Sequence, residues 1–267
     1  MQQGTRDLLG ETRMSSITVI LNGYRRPKNL SLQVEAIKKQ TVPPEQIWLW
    51  VNYHEDFNNE KIDLDSLGID RICLNDHNWK YFGRFALAML ADTDFVALFD
   101  DDTVPGTRWL ENCLETYEKF PGILGGVGLH LRNKKYYMDH ERFGWPSHNE
   151  ETVEVDLVGH AWFMNKSHLK YVWMEPPFTW DTGEDIHLSA MAQKYGQIGT
   201  YVPPHPPLEQ NKSSSLFGYE LGVDDKTHSV INQQEFFSLR DRCIQHYIKD
   251  GWSLVSEIKD AEGRQPL

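Results

Sequence analysis

Residues 95–106 read FVALFDDDTVPG, an apolar run of five followed at once by three aspartates and a Pro-Gly turn. The apolar run is short enough to be a buried strand. Three carboxylates at the end of such a strand repel one another and resist desolvation, so a bound cation would stabilise them. Mg²⁺ and Mn²⁺ prefer oxygen ligands and commonly bridge carboxylates to substrate phosphates. The stretch therefore predicts a metal site; the alternative is a solvated acidic turn in which Asp102 or Thr103 caps a helix.

Short apolar segments alternate with helical patterns from residue 16 to about residue 120. The predicted strands cover residues 17–21, 47–51, 71–74 and 95–99. This alternation is typical of a parallel, doubly wound α/β sheet, in which ligands bind at the carboxyl ends of the strands. Asn22, Asn52 and the aspartates 100–102 all follow predicted strands, so we expect them to meet at one edge of the sheet.

The composition is that of an ordinary globular protein, with 40% hydrophobic and 25% charged residues among 267. A net charge of −12 argues against nucleic acid as a partner, because that function needs a basic surface. The three cysteines form no disulfide or zinc pattern, which favours a reducing compartment. No apolar run approaches the ~18 residues of a membrane span, and the first 15 residues lack a signal-peptide core. We therefore predict a cytoplasmic protein without a transmembrane segment.

Six segments, taken in order, resemble motifs of the GT-A glycosyltransferases, enzymes that have a nucleotide-sugar-binding α/β domain and an Asp-x-Asp metal motif. The segments are TVILNGYRR (18–26), WLWVN (48–52), FGRFAL (82–87), DDD (100–102), DLVGHAWF (156–163) and GEDIHL (183–188). The last resembles the Glu-Asp motif of family-two transferases and a Glu-Asp-Ile segment of exostosin-like transferases. The resemblance covers roughly residues 16–205.

The resemblance implies a Rossmann-like GT-A fold, a mostly parallel sheet flanked by helices, with a smaller acceptor-side sheet. It implies a single domain at 16–267 after a loose polar arm at 1–15. Within the domain, residues 16–120 would form the nucleotide-binding half. Residues 121–267 would form the acceptor half, which ends in a helix near 232–248.

The same resemblance assigns roles on the donor side. It implies a Mn²⁺ or Mg²⁺ ion, with Asp100, Asp102 and the late His205 as its candidate ligands. Tyr24 would stack on the base and Asn52 would form a hydrogen bond with it. Arg84 and Lys212 would contact the phosphates. The full set of candidate donor-binding residues is Asn22, Tyr24, Arg26, Asn52, Arg84, Asp100, Asp101 and Lys212. The alternative for each is an ordinary turn, strand-end or surface role. We also expect residues 211–218, rich in serine, to form a mobile lid.

Glu184 and Asp185 stand at the predicted start of a helix, where acids are favoured by the helix dipole alone. The Glu-Asp resemblance makes Asp185 the candidate general base of an inverting transfer, with Glu184 in support. Retaining chemistry stays open, because the exostosin-like relatives retain. The implied reaction moves a sugar from a nucleotide donor, with UDP-sugars favoured, to a carbohydrate or glycoconjugate hydroxyl. The alternatives are a nucleotidyltransferase and a non-catalytic carbohydrate-binding module with structural calcium.

Overall fold

The computed structural model describes residues 15–59, 62–222 and 233–261. The predicted arm at 1–15 lies outside these residues apart from Ser15. The strands are β1 Ile17–Gly23, β2 Gln46–Val51, β3 Arg71–Leu74, β4 Phe95–Phe99, β5 Ile123–Leu131, β6 His140–Gly144, β7 Val153–Val155, β8 Leu157–Asn165 and β9 Thr200–Val202. The helices are α1 Asn29–Lys38, α2 Glu55–Asn59, α3 Gly83–Ala88, α4 Trp109–Lys119, α5 Glu184–Gly196, α6 Gly218–Gly222, α7 Gln233–Lys249 and α8 Val255–Ala261. Among the described residues, no helix is long and apolar enough to cross a membrane.

The strands of the described residues form one sheet in the order β3-β2-β1-β4-β8-β5-β9-β7, with β6 paired to β5. The first four strands run parallel, as the alternation predicted. The strand β8 then pairs antiparallel with both β4 and β5. Because β8 belongs to both parts, the smaller acceptor-side sheet that the resemblance implied is continuous with the main sheet. The predicted α/β class is confirmed.

Apolar side chains alternate along the central strands and build one core on each face of the sheet. Ile20 and Leu98 face a core that contains residues of α3, α5 and α7. Val19 and Leu21 face the opposite core, which contains residues of α1 and α4. Successive strand residues point to opposite faces, so both faces need a helical cover. The sheet is therefore sandwiched between two helical layers, and its strand ends remain at the edge.

Part of the serine-rich segment that was predicted to be a lid is packed against the protein. Ser213, Ser214 and Ser215 are buried, and the Ser213 carbonyl accepts a hydrogen bond of 2.8 Å from the Gly106 amide. The Leu216 amide donates to the Val104 carbonyl at 2.8 Å. The segment is thus packed onto the turn that follows the three aspartates, and this contact was not visible as a sequence pattern.

Candidate active site

The three aspartates lie where the direction of strand order reverses. The chain passes from β1 to β2 and β3 on one side, and β4 lies on the other side of β1. In open α/β sheets, ligands bind in the crevice at the carboxyl ends of the strands beside such a switch point. The turn Asp100–Thr103, which we call the acid turn, begins directly after β4 at this point.

Side chains of helix α1 donate hydrogen bonds to the backbone of the acid turn. The buried Gln33 amide donates to the carbonyl oxygens of Asp100, at 2.6 Å, and Thr103, at 2.9 Å. The Asn29 amide donates to the Asp101 carbonyl at 2.9 Å. These bonds fix the path of the acid turn before any ligand binds.

We expect Gln33→Leu to lower the free energy of unfolding by about 1–3 kcal/mol, because two carbonyls of the acid turn lose their buried donor. Urea denaturation measures the effect, and Glu35→Ala on the exposed face of the same helix is the control. A Gln33→Leu protein as stable as that control would contradict the role assigned to this side chain.

Two of the aspartates converge with a histidine from the neighbouring strand. One potential ligand atom from each of Asp100, Asp102 and His160 lies within 4.8 Å of the others. His160 Nδ1 is 3.8 Å from Asp100 Oδ2 and 3.8 Å from Asp102 Oδ1. The other ring nitrogen, Nε2, lies 3.3 Å from Thr103 Oγ1, and metal-ligating histidines usually have such an outer partner. We call Asp100, Asp102 and His160 the acid–histidine group.

A β-bulge carries His160 to the acid turn. The register between β5 and β8 shifts so that His160 and Ala161 oppose the single residue Gly126. His160 has a φ of 70°, which is uncommon for a residue other than glycine. Its carbonyl accepts from the Asp100 amide, and its ring stacks on Trp145 at 4.9 Å. Bulges often redirect a side chain beside an active site, and this one directs the His160 ring at the acid turn.

The charges of the acid–histidine group fit a bound cation. Burial, and then the charge of Asp100, raise the pKa of Asp102 above its usual value. Burial lowers the pKa of His160 to about 4, so its imidazole is neutral at pH 7 and can offer a lone pair. Two carboxylates suit Mg²⁺ or Mn²⁺, and a neutral imidazole is a common metal ligand. These residues could therefore hold a divalent cation, which would relieve the repulsion between the carboxylates.

Asp101 is not among the converging ligand atoms and pairs instead with the predicted nucleotide loop. Arg26 Nη1 is 2.8 Å from Asp101 Oδ1 and 3.6 Å from Asp102 Oδ2. Arg26 Nη2 donates to the Gly222 carbonyl at 3.1 Å. A Cβ on Gly222 would lie 2.4 Å from an oxygen of Asp102, so only glycine allows the end of α6 to approach this closely. Arg26 thus joins the acid turn to α6.

Arg84 links the acid turn to the helix that carries Glu184 and Asp185. Its buried guanidinium forms an ion pair with Asp100 and lies 3.5 Å from Glu184 Oε1. It also stacks over Trp162 at 4.6 Å. Sequence analysis assigned Arg84 to a phosphate, but the structure surrounds it with protein and uses it to connect two acidic groups.

The two acids at the start of α5 have different surroundings. Burial, followed by repulsion from Asp185, raises the pKa of Glu184 well above its usual range, and Glu184 Oε2 has no partner in the described structure. Asp185 Oδ1 accepts from the Ile186 amide at 2.8 Å, and Oδ2 accepts from Arg240 of α7. Both oxygens of Asp185 are therefore oriented by donors, whereas Glu184 keeps an oxygen without a donor.

His205, predicted as the third metal ligand, lies apart from the acid–histidine group. Its Nδ1 is 2.8 Å from the Pro203 carbonyl, and its Nε2 accepts from the Ser214 amide at 3.1 Å. Both ring nitrogens are thus engaged with buried protein groups. His160 takes the position that sequence analysis gave to His205.

Two further donor-side candidates also have structural contacts. The Asn52 amide donates to the Lys80 carbonyl at 2.8 Å, and its oxygen accepts from Trp50 and Trp79, so it shapes the loop after β3. Lys212 forms an ion pair of 2.8 Å with Glu209, beside the start of α4. Neither set of contacts reaches the acid turn.

The remaining donor-side candidates lie at the end of β1. Asn22 is in β1, opposite Trp50 of β2, and is half-buried. Tyr24 follows the strand, accepts a hydrogen bond of 3.0 Å from Asn78, and contacts the His54 ring edge-on at 4.9 Å. Because β1 pairs in parallel with β4, Asn22 lies at the same edge of the sheet as the acid turn, as the strand pattern predicted.

His160 and Arg240 were not among the site residues predicted from the sequence. The position of His160 depends on a bulge and a left-handed φ, and neither has a sequence signal. Arg240 did have a sequence signal, because it lies in the otherwise apolar stripe of α7. The residues Phe236, Cys243 and Tyr247 stand at helical spacing in the same stripe. A cation within such a stripe indicates a buried partner.

Comparisons with known proteins agree with this architecture. No protein-family model matches the chain. Glucosyl-dolichyl phosphate glucuronosyltransferase of Haloferax volcanii is 30% identical over 116 residues, which are 42% of this chain and 37% of that protein. The match therefore spans little more than a third of the length of the curated relative.

Two solved structures of the glycosyltransferase TarS from S. aureus are similar in fold. A structure of its residues 1–349 has a TM-score of 0.50 and 14% identity, over 71% of this chain and 60% of that one. A second TarS structure has a TM-score of 0.51 and 15% identity, over 71% and 36%. This chain has a GT-A-like glycosyltransferase fold. The predicted resemblance is confirmed. The acid turn, Glu184 and Asp185 all lie within this GT-A-like fold.

Proposed function

We propose that this protein transfers a sugar from a nucleotide-sugar donor, with UDP-sugars as the first candidates, to a hydroxyl group of a carbohydrate or glycoconjugate. The observation that supports this most is the convergence of Asp100, Asp102 and His160 at the switch point of a GT-A-like sheet. The curated relative is named as a transferase of a glucuronosyl group to a lipid-linked sugar, which supports a glycoconjugate acceptor.

The acid–histidine group would hold a Mn²⁺ or Mg²⁺ ion. When bound, such an ion acts as a Lewis acid that stabilises the charge of the departing nucleoside diphosphate. Arg26, which adjoins Asp101 and Asp102, would add a second positive charge on the diphosphate side. Tyr24 and Asn22 would border the nucleoside.

Asp185 is the proposed base if transfer inverts the anomeric centre. The acceptor O–H proton moves to the Asp185 carboxylate while the acceptor oxygen bonds to the anomeric carbon. The bond from that carbon to the diphosphate oxygen breaks, and its electron pair leaves with the diphosphate. A base must be within hydrogen-bond reach of the acceptor hydroxyl, and the donors around Asp185 hold its carboxylate in a fixed orientation.

A thermal-shift screen of nucleotides with Mn²⁺ tests this function. Ligands that bind the folded state raise the melting temperature according to their affinity, so UDP with Mn²⁺ should raise it more than either alone. Stabilisation by nucleoside triphosphates and not by UDP would favour a nucleotidyltransferase. No stabilisation by any nucleotide would contradict the proposal and favour a carbohydrate-binding module.

A pair of histidine variants tests the proposed ligand set. His160→Gly keeps the left-handed backbone accessible and removes the imidazole, so we expect Mn²⁺ affinity to fall at least about 10-fold. His205→Ala removes buried hydrogen bonds, so we expect a lower melting temperature and unchanged Mn²⁺ affinity. The reverse pattern in calorimetric Mn²⁺ titrations would restore His205 as the ligand.

A further inference from the structure

Helix α7 brings one buried cation to the proposed base. Arg240 is only 4% exposed, and its Nη2 donates to Asp185 Oδ2. Its Nη1 lies 3.3 Å from Thr182 Oγ1, three residues before Asp185 in the chain. The guanidinium therefore contacts both the helix that carries the base and the loop that leads into that helix.

Aromatic rings hold the Arg240 guanidinium in place. Its central carbon lies 4.1 Å from the centre of the Tyr137 ring and 5.5 Å from that of Phe236. Burial alone would lower the pKa of Arg240, but the Asp185 carboxylate, Tyr137 and Glu184 together outweigh burial and raise it, so the side chain stays charged. An arginine fixed in this way loses little conformational freedom when it orients a partner.

The neighbouring carboxylates of Glu184 and Asp185 differ in their hydrogen-bond partners, and this difference indicates the role of the Arg240–Asp185 ion pair. Arg240 bonds to Asp185, whereas the Oε2 atom of Glu184 has no partner in the described structure. Gly159 of β8 faces Asp185 Oδ2, where even a Cβ would lie 3.6 Å away. Both carboxylates contact a guanidinium, Glu184 that of Arg84 and Asp185 that of Arg240. Asp185 differs in that both of its oxygens accept hydrogen bonds and that it adjoins a glycine of β8.

A buried ion pair is weak support for stability, because desolvating both charges offsets their attraction. The Arg240–Asp185 pair therefore calls for a reason other than stability. We propose that Arg240 is a positioning residue for the transfer reaction, which orients the Asp185 carboxylate toward the acceptor hydroxyl. This inference rests on the proposed function and makes α7 part of the active site.

The expected signature is a change in the pH dependence of turnover. The titratable groups that interact with Asp185 include Arg240 and Cys243 of α7, Tyr137 before β6, and Glu184 beside it. Arg240 is the only cation among these four. Its removal takes the positive charge away from the proposed base, so the acidic limb of kcat should move to higher pH.

The test compares Arg240→Met and Arg240→Lys with Arg242→Met, which removes an exposed arginine two residues further along the same helix. Turnover with a UDP-sugar and Mn²⁺ is followed from pH 5 to pH 9, and UDP affinity is measured for each variant. For Arg240→Met we expect about a 10²-fold loss of kcat at pH 7, partial recovery at higher pH and unchanged UDP affinity. Arg240→Lys should keep more activity and a smaller shift. If Arg240→Met does not fold, the Arg240→Lys profile alone must show the displaced limb.

Two outcomes would overturn the inference and can be told apart. If the wild-type protein transfers sugar and both Arg240 variants keep the kcat and pH profile of Arg242→Met, Arg240 does not position the base. If the wild-type protein has no transfer activity with any nucleotide sugar, the proposed function fails, and this inference fails with it.

Discussion

Asp102→Ala is expected to abolish Mn²⁺-dependent UDP binding and to leave the protein folded. Asp102 supplies one of the two carboxylates of the acid–histidine group, so its loss should weaken UDP binding at least about 100-fold in the presence of Mn²⁺. The fold should survive, because burial and the charge of Asp100 raise the pKa of Asp102, and an acid with a raised pKa opposes folding when it is ionised. Isothermal titration with UDP and a thermal melt measure the two effects.

Asp92→Ala is the matched control, because Asp92 is exposed and precedes β4. It should leave UDP binding unchanged. If Asp102→Ala bound UDP with Mn²⁺ as tightly as the control, the acid turn would not be the nucleotide site.

Asp185→Asn is expected to retain donor binding and to lose transfer by roughly 10²–10⁴-fold in kcat. The amide has the shape of the carboxylate but cannot take the proton of the acceptor hydroxyl. UDP affinity should stay close to that of the wild type, because Asp185 contacts α7 and its own helix rather than the acid turn. Steady-state kinetics with separate donor and acceptor titrations distinguish the two effects.

Glu184→Gln provides the comparison within the same helical turn. Burial favours the protonated form of Glu184, which glutamine resembles, so this variant should lose less activity than Asp185→Asn. Full turnover in Asp185→Asn together with an inactive Glu184→Gln would mean that Glu184, and not Asp185, is the base.

The nucleotide-binding half was predictable because its signals are local. Apolar runs such as 17–21 and 95–99 are buried on both faces, and parallel strands bring their carboxyl ends to one edge. This predicted that Asn22, Asn52 and the three aspartates would meet at one edge of the sheet. The alternation of side chains also predicted that Asp100 and Asp102 would face together and that Asp101 would point elsewhere.

The rest of the candidate site could not be predicted, because it is formed by contacts between residues that are distant in the sequence. His205 and Asn52 are polar residues in suitable places, yet their hydrogen bonds go to Ser214 and the loop at 78–80, which no local pattern reveals. His160 reaches the acid turn through a bulge opposite Gly126. Arg84 bonds across 16 residues to Asp100 and across 100 residues to Glu184. Sequence periodicity reports which face a residue occupies, but not which partner it meets there.

A titration of Mn²⁺, followed by the electron paramagnetic resonance signal of the free ion, tests the central claim most directly. The claim is that Asp100, Asp102 and His160 form a metal site coupled to a nucleoside diphosphate. The account predicts about one bound Mn²⁺ per chain, with an affinity that UDP increases, because binding free energies couple reciprocally. The same titration of Asp102→Ala should show neither the bound ion nor the effect of UDP. Mn²⁺ binding that is absent from the wild-type protein in the presence of UDP, or identical in wild type and Asp102→Ala, would contradict the account.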